Sequence, residues 1–247
     1  MDQNLITLWC AYPDDLLTEE IAQSCEACLS EEEKTRMRAF RFPRDRRVFL
    51  ASHALLRNAL SHSCPLSLDE WQFSKNKYGK PQIPPQFGLR FNLSHCPRLA
   101  ICLVSRGIEV GVDLEPRERA GDIVELAARV FSRAELIQFE RLKGQEKLNR
   151  ALLLWTLKEA FVKACGMGLS MPLTGLSFLF EGDHARLEVA PDLGVDSRRW
   201  QFSMLEHSGH RIAVVTERVA ELSLRLCEAR PAVSGPRWLE TTIGRWH

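Results

Sequence analysis

Residues 109–116 read EVGVDLEP. The run predicts a short strand over 109–114, apolar between Glu109 and the two acids near its end. Strand side chains alternate faces, so Asp113 and Glu115 point one way while Val112 and Leu114 point the other. Two carboxylates on one face, with backbones roughly 7 Å apart, repel each other unless something positive stands between them. The identity of that partner decides what the segment is for.

Around this strand the chain shows the same pattern twice. Upstream, 4–11 reads as a strand and 16–28 as a helix, and Ser30 with Glu33 forms a capping box that opens another helix. Pro43 opens a longer helix to about 62, with Val48, Ala51, Leu55 and Ala59 on its buried face. Trp71–Ser74, Leu89–Leu93 and Leu99–Val104 read as strands, with a turn at Tyr78-Gly79-Lys80-Pro81 and a polar elbow at Ser94-His95-Cys96-Pro97. Downstream come a helix at 122–130, one capped by Ser132 and Glu135, and a long helix over 146–165 stopped by Gly166. Strands follow near 176–180, 186–190, 200–205, 211–217 and 222–226. The expected fold class is α/β (α+β) with two similar halves. The N-terminal half spans 1–107, the C-terminal half with the acidic strand spans 108–227, and a tail spans 228–247. Trp238 and Trp246 suggest that the tail packs, at a place the pattern does not reveal.

The bulk numbers narrow the function classes. The chain has 247 residues, 45% hydrophobic and 26% charged, enough for a real core. A net charge of +1 gives no global case for nucleic acid or an anionic membrane. The opening MDQNLITLWCAYPDD lacks the basic start of a signal peptide, and no apolar run approaches the ~18–20 residues of a membrane helix. A cytoplasmic protein with no membrane partner is expected, with its eight cysteines as reduced thiols. Cys25 and Cys28 share a helical face with Ile21 and Leu29 and read as core thiols, since no second pair or nearby histidine gives zinc spacing.

The long helix carries WTLKEAFVKACGMGL over 155–169. Leu153, Leu157, Ala160 and Ala164 face a core, while Trp155, Glu159 and Lys163 form a neighbouring stripe with Lys158 beside it. Taken alone, Glu159 and Lys163 are a favourable surface pair. If the helix packs beside the acidic strand, Glu159 joins Asp113 and Glu115. Three converging carboxylates are costly without a cation, because one has to stay protonated. Mg²⁺ removes that cost, takes oxygen ligands, and commonly shares its sphere with phosphate. Asp113, Glu115 and Glu159 are therefore candidate Mg²⁺ ligands beside a phosphate-bearing molecule. The plain alternative is a pair of edge-strand acids that discourages aggregation.

Phosphate also needs cations. Residues 34–47, KTRMRAFRFPRDRR, hold seven Lys or Arg against one acid, Asp45. Arginine suits a terminal phosphate because its planar fork binds two oxygens, whereas a solvated face is the bland reading. A nucleic-acid groove lacks the interleaved aromatic platform it would need. Lys80 sits in a rigid Gly-Lys-Pro turn, and Ser94 and His95 follow a strand directly. A Ser-His nucleophile pair would need a third orienting acid that is not evident, so His95 reads better as a phosphate ligand. No Walker loop, GxGxxG, HExxH or GxSxG occurs.

In order and spacing, YGKP (78–81), FNLSH (91–95), GVDLE (111–115) and WTLKEAFVKACGMGL (155–169) resemble the 4′-phosphopantetheinyl transferases of the larger, two-half type. The resemblance covers most of residues 30–180. It implies two α/β halves related by a pseudo-twofold axis, with coenzyme A in the cleft between them, acting as a monomer. It implies transfer of the phosphopantetheine arm of coenzyme A to a serine of an apo acyl or peptidyl carrier protein, with release of adenosine 3′,5′-bisphosphate. By motif, Asp113, Glu115 and Glu159 hold Mg²⁺, Ser94 and His95 contact phosphates, and Lys80, Lys158 and Lys163 add positive charge. Arg36 and Arg47 are assigned to the 3′-phosphate and adenine region. Some relatives place Glu or Gln where this chain has Leu114, and relatives often use lysine where it has Arg36.

Catalysis would rest on positioning and on neutralising charge at the leaving phosphate, with Glu159, Lys163 and His95 as the catalytic groups. Glu159 is the candidate base, directly or through water. A metal-bound carboxylate is a weak base, which leaves a metal-bound water as the alternative. A Mg²⁺-dependent phosphate-ester hydrolase and an inactive binder of coenzyme A are the competing readings.

Overall fold

Local signals place most helix ends. In the computed structural model, which describes residues 4–16, 18–181, 184–231 and 238–246, the chain divides into two compact units. Unit 1 takes residues up to Lys75, Pro81–Val110, and those from Val219 onward, while unit 2 takes Asn76–Lys80 and Gly111–Arg218.

Unit 1 starts with β1 (Leu5–Ala11), α1 (Glu19–Ala27), α2 (Glu31–Ala39) and α3 (Pro43–Ser63). The Thr18 hydroxyl accepts from the Ile21 N–H and caps α1, so this helix begins later than the expected 16. The Ser30–Glu33 capping box opens α2, and Pro43 opens α3 with a ring that has no N–H to leave unpaired. The expected strand at Trp71–Ser74 shrinks to β2 (Ser74–Lys75), paired with β3 (Pro81–Gln82). Trp71 is instead a buried anchor whose indole N–H donates to Ser61. Next come β4 (Leu89–His95) and β5 (Ala100–Arg106).

Unit 2 contains β6 (Val110–Pro116), α4 (Ala120–Val130), α5 (Arg133–Phe139), α6 (Gly144–Cys165), β7 (Leu176–Glu181), β8 (His184–Val189), β9 (Trp200–His207) and β10 (His210–Glu217). Ser132 and Glu135 box the start of α5, and Gly166, at φ +67°, ends α6 in the left-handed region that glycine adopts freely. The three-stranded sheet β6-β10-β9 packs on α6, and β7 and β8 form a separate hairpin. Leu157, Ala160, Phe161 and Ala164 of α6 join Phe178, Ala213 and Val215 in one core.

The chain then returns to unit 1 as β11 (Ser223–Pro231) and β12 (Trp238–Trp246). Its five-stranded sheet runs β12-β11-β1-β5-β4, parallel between β1 and β11 and antiparallel elsewhere. Residues 219–227, expected with the C-terminal half, therefore belong with unit 1, because β11 takes β1 as its ladder partner. The expected tail contributes the end of β11 and all of β12, while the packing of the Trp238 and Trp246 side chains lies outside the described residues. Among the described residues no two cysteines form a disulfide, and burial pushes Cys25 up to about 12, as suits a core thiol. Among the described residues, no helix is long and apolar enough to cross a membrane.

Candidate active site

Gly111 permits the contact on which the site is built. A Cβ there would lie 2.1 Å from the Ala160 carbonyl oxygen and 2.4 Å from the Ala164 nitrogen. Only glycine lets the backbone of α6 come this close to β6. That approach sets Asp113 and Glu115 against the polar stripe of α6. The Lys163 ammonium donates to Asp113 Oδ1 at 2.6 Å. The Trp155 indole N–H and the Arg119 guanidinium both donate to Glu115 Oε1 at 2.7 Å. The positive partners of the two strand acids within the chain are thus Lys163 and Arg119.

These cations do not fully offset the carboxylates. Burial, then the charge of Asp113, raises the Glu115 carboxyl above its ordinary value despite Arg119 and Trp155. Burial, then Asp113, also raises Glu159, with Glu115 adding to the effect and Lys163 and Arg119 opposing it. Asp113, Glu115 and Glu159 therefore share one negative field. An all-oxygen, acidic donor set of this kind fits a hard divalent cation. Among the described residues, no group of three or more His, Cys, Asp or Glu side chains is arranged to hold a metal ion. Asp113 and Glu115 are here bound by Lys163 and Arg119.

Lys158, expected to supply charge to a phosphate, is elsewhere. It is 0% exposed. Its ammonium donates to the carbonyls of Val130 (3.0 Å), Leu173 (2.7 Å) and Leu176 (2.7 Å) and pairs with Glu135 at 2.6 Å. An ammonium has three hydrogens, so these partners saturate it and leave nothing for a ligand. Glu135 also accepts from the Ser132 N–H at 2.7 Å and the Phe178 N–H at 2.8 Å. The group fastens α6 to α5 and to the start of β7. A sequence signal was present: Leu154 and Phe161, at i−4 and i+3 from Lys158, are both core residues.

Lys80 is aimed by its turn, but toward the end of α6. Its ammonium donates to the Ala164 carbonyl at 3.1 Å, where a cation complements the helix dipole. Asn76 reinforces the docking by donating to the Gly166 carbonyl at 2.9 Å.

Within unit 1, Arg36 and His95 meet at a cavity of about 310 Å³ that also involves Phe49 and His53. The Arg36 guanidinium lies over the Phe49 ring, 5.6 Å from its centroid. His95 is exposed at the end of β4, Ser94 before it is buried, and Arg47 is half-buried and not among the cavity's lining residues. Other members of the basic run have local partners. Lys34 pairs with Glu31, Arg38 with Glu26, and Arg46 donates to the Phe40 carbonyl. Sequence reasoning missed Arg119, which follows Glu115 by four residues, and the roles of Trp155 and Gly111.

Comparison with known proteins gives the same direction. A family model described as the 4′-phosphopantetheinyl transferase superfamily matches residues 109–215, and one described as 4′-phosphopantetheinyl transferase, N-terminal, matches 18–106. The 4′-phosphopantetheinyl transferase HetI of Nostoc sp. strain PCC 7120 is 34% identical over 176 residues, covering 70% of this chain and 74% of that protein. The 4′-phosphopantetheinyl transferase Sfp of Bacillus subtilis strain 168 is 31% identical over 172 residues, covering 70% and 75%. The chain belongs to the 4′-phosphopantetheinyl transferase superfamily, as an enzyme of its larger, Sfp-like type.

Proposed function

We propose that the protein moves the phosphopantetheine arm of coenzyme A onto a serine of an apo acyl or peptidyl carrier protein. The reaction depends on Mg²⁺ and releases adenosine 3′,5′-bisphosphate. The observation that carries this reading is the acid–lysine cluster between β6 and α6, where three carboxylates share a field that Lys163 and Arg119 leave partly unbalanced.

Asp113, Glu115 and Glu159 would hold the Mg²⁺ ion. When bound, the ion neutralises the diphosphate and acts as a Lewis acid on its leaving side. Glu159, directly or through a water molecule, would accept the proton of the carrier serine. The serine oxygen then bonds to the pantetheine-side phosphorus, and the bond from that phosphorus to the bridging oxygen breaks. The leaving bisphosphate keeps that oxygen and its electron pair. Lys163 supplies a fixed donor for the charge that develops there. Within unit 1, Arg36, preoriented by its stack on Phe49, and His95 at the same cavity would contact phosphate, with Ser94 and Arg47 as further candidates. Lys158 drops out of the ligand set because its donors are taken within the chain.

Mass spectrometry of an apo carrier domain incubated with the protein, coenzyme A and Mg²⁺, beside an EDTA control, tests the proposal. A gain of one phosphopantetheinyl group that EDTA prevents is the expected result. No gain across fatty-acid, polyketide and peptide carriers would overturn it.

A further inference from the structure

α3 covers one face of the five-stranded sheet, and that face changes character where the helix ends. Toward the middle, Trp9, Cys102 and Cys227 pack with Leu55, Ala59 and Leu60. Past the last turn the same face carries Thr7, Arg106 and Arg225. There a second cavity of about 310 Å³ opens, walled by Leu89 and Val104 and bordered by His62. It shares no residue with the cavity of Arg36 and His95.

The strand register sets the geometry. Thr7 of β1 stands opposite Arg225 of β11 on one side and Val104 of β5 on the other, with Arg106 two residues farther along. The two arginine backbones therefore straddle β1, two strand spacings across and two residues along, roughly 12 Å apart. Among the described residues, no acid lines the cavity. Arg106 donates to the Ser63 carbonyl at the end of α3, and the His62 ring stands edge-on to Trp9 at 4.8 Å. Arg225 differs: its Nε is buried and has no hydrogen-bond partner among the described residues. A buried guanidinium N–H without an acceptor is costly, and a second guanidinium in the same wall adds like-charge repulsion. One oxyanion would relieve both.

We propose that this cavity binds a small organic oxyanion, a carboxylate or phosphate monoester with a short apolar body. Arg225 and Arg106 take the anionic head, the Thr7 hydroxyl adds a donor, and Leu89 and Val104 receive the apolar part. The volume is at the small end of ligand pockets, which suits a small guest.

Calorimetric titration with butyrate, propyl phosphate and inorganic phosphate tests the site. Saturable one-to-one binding of butyrate or propyl phosphate is expected to the native protein and equally to Arg36→Ala. Arg225→Gln should weaken it by about tenfold or more, the loss of one charge-assisted contact. Whichever organic ligand binds more tightly identifies the head group. No saturable binding, or binding lost in Arg36→Ala and kept in Arg225→Gln, would overturn the proposal. Inorganic phosphate binding as tightly as propyl phosphate would remove the apolar subsite. If Arg225→Gln does not fold, Thr7→Val decides, since it keeps the strand and removes only the hydroxyl. An unchanged affinity in that variant would count against the site.

Discussion

Unit 1 and unit 2 each tie a short helix to a long one through a capping-box glutamate and a buried cation. In unit 1, Glu33 closes the box with Ser30 and accepts from Arg57 of α3 at 2.5 Å. Arg57 is 1% exposed and also donates to the carbonyls of Leu68 and Trp71. In unit 2, Glu135 closes the box with Ser132 and pairs with Lys158 of α6, which holds three carbonyls. The contrast begins one residue beyond each cation. α3 continues with Asn58 and, four residues on, His62, which meets the ring of Trp9. α6 continues with Glu159 and, four residues on, Lys163, which meets Asp113. The same anchor thus supports an aromatic seam in one unit and an ionic one in the other. A buried cation in such a motif is scaffold, and the proposed chemistry belongs to its neighbours.

The largest expected effect tests that division directly. Asp113→Ala, Glu159→Ala and Lys163→Ala should each lower carrier modification at least about a hundredfold, with circular dichroism and melting midpoint kept. His62→Ala, at the matching place in unit 1, should leave turnover within about twofold. Equal losses in both helices would break the contrast. Lys158→Met should act on stability instead. Removing one partner of a buried pair costs about 3–5 kcal/mol, readable in urea unfolding. Adding Glu135→Gln should recover part of it, because no bare charge is then left. A stable Lys158→Met protein with lost turnover would return that lysine to the reactive side.

Gly111→Ala sharpens the contrast from the strand side. Its Cβ would collide with the α6 backbone, so a loss of about 1–3 kcal/mol and a fall in kcat are expected together. Normal values of both would contradict the close approach.

The anchor of unit 1 also has a pH signature. Burial alone would raise Glu33. Hydrogen bonds from His53, the Ser30 N–H and Arg57, with the Arg57 charge, outweigh it and hold the carboxyl at about 2, against 4.5 ordinarily. A depressed carboxyl contributes stability that is fully present above the ordinary value and disappears as pH falls through the folded one. About 3 kcal/mol should therefore be lost between pH 4.5 and 2, and Glu33→Gln should flatten that slope in acid titrations of unfolding. The smallest effect concerns coenzyme A. Arg36→Ala should raise its KM about tenfold with little change in kcat, and Arg47→Ala, outside the cavity lining, should raise it less.

Local chemistry made much of this fold legible. Ser30, Ser132, Pro43 and Gly166 mark helix ends through bonds or dihedrals within a few residues, and each does so in the structure. The shared face of Asp113 and Glu115 followed from strand alternation alone, and both do meet α6. Features that depend on distant partners were hidden. The alternation at 222–226 announces a strand but does not say that β1 is its neighbour. Charge by itself could not separate Lys158 from Lys163, because their fates depend on Glu135 and Asp113, which are remote in sequence. The basic run read as one positive face, yet several of its cations are bound locally, and among the cavity's lining residues Arg36 is its one cation, beside Asp45 of the same run.

The pairing of Leu5–Cys10 with Ser223–Glu228 also bears on how the chain is made. On the ribosome β1 emerges well before its parallel partner, which follows only after the whole of 111–218 has appeared. Throughout that interval β1 can pair only with β5, and its other edge stays open to neighbouring nascent chains. A message truncated after Arg218 would encode the full acid–lysine cluster and still release a protein with an unsealed sheet.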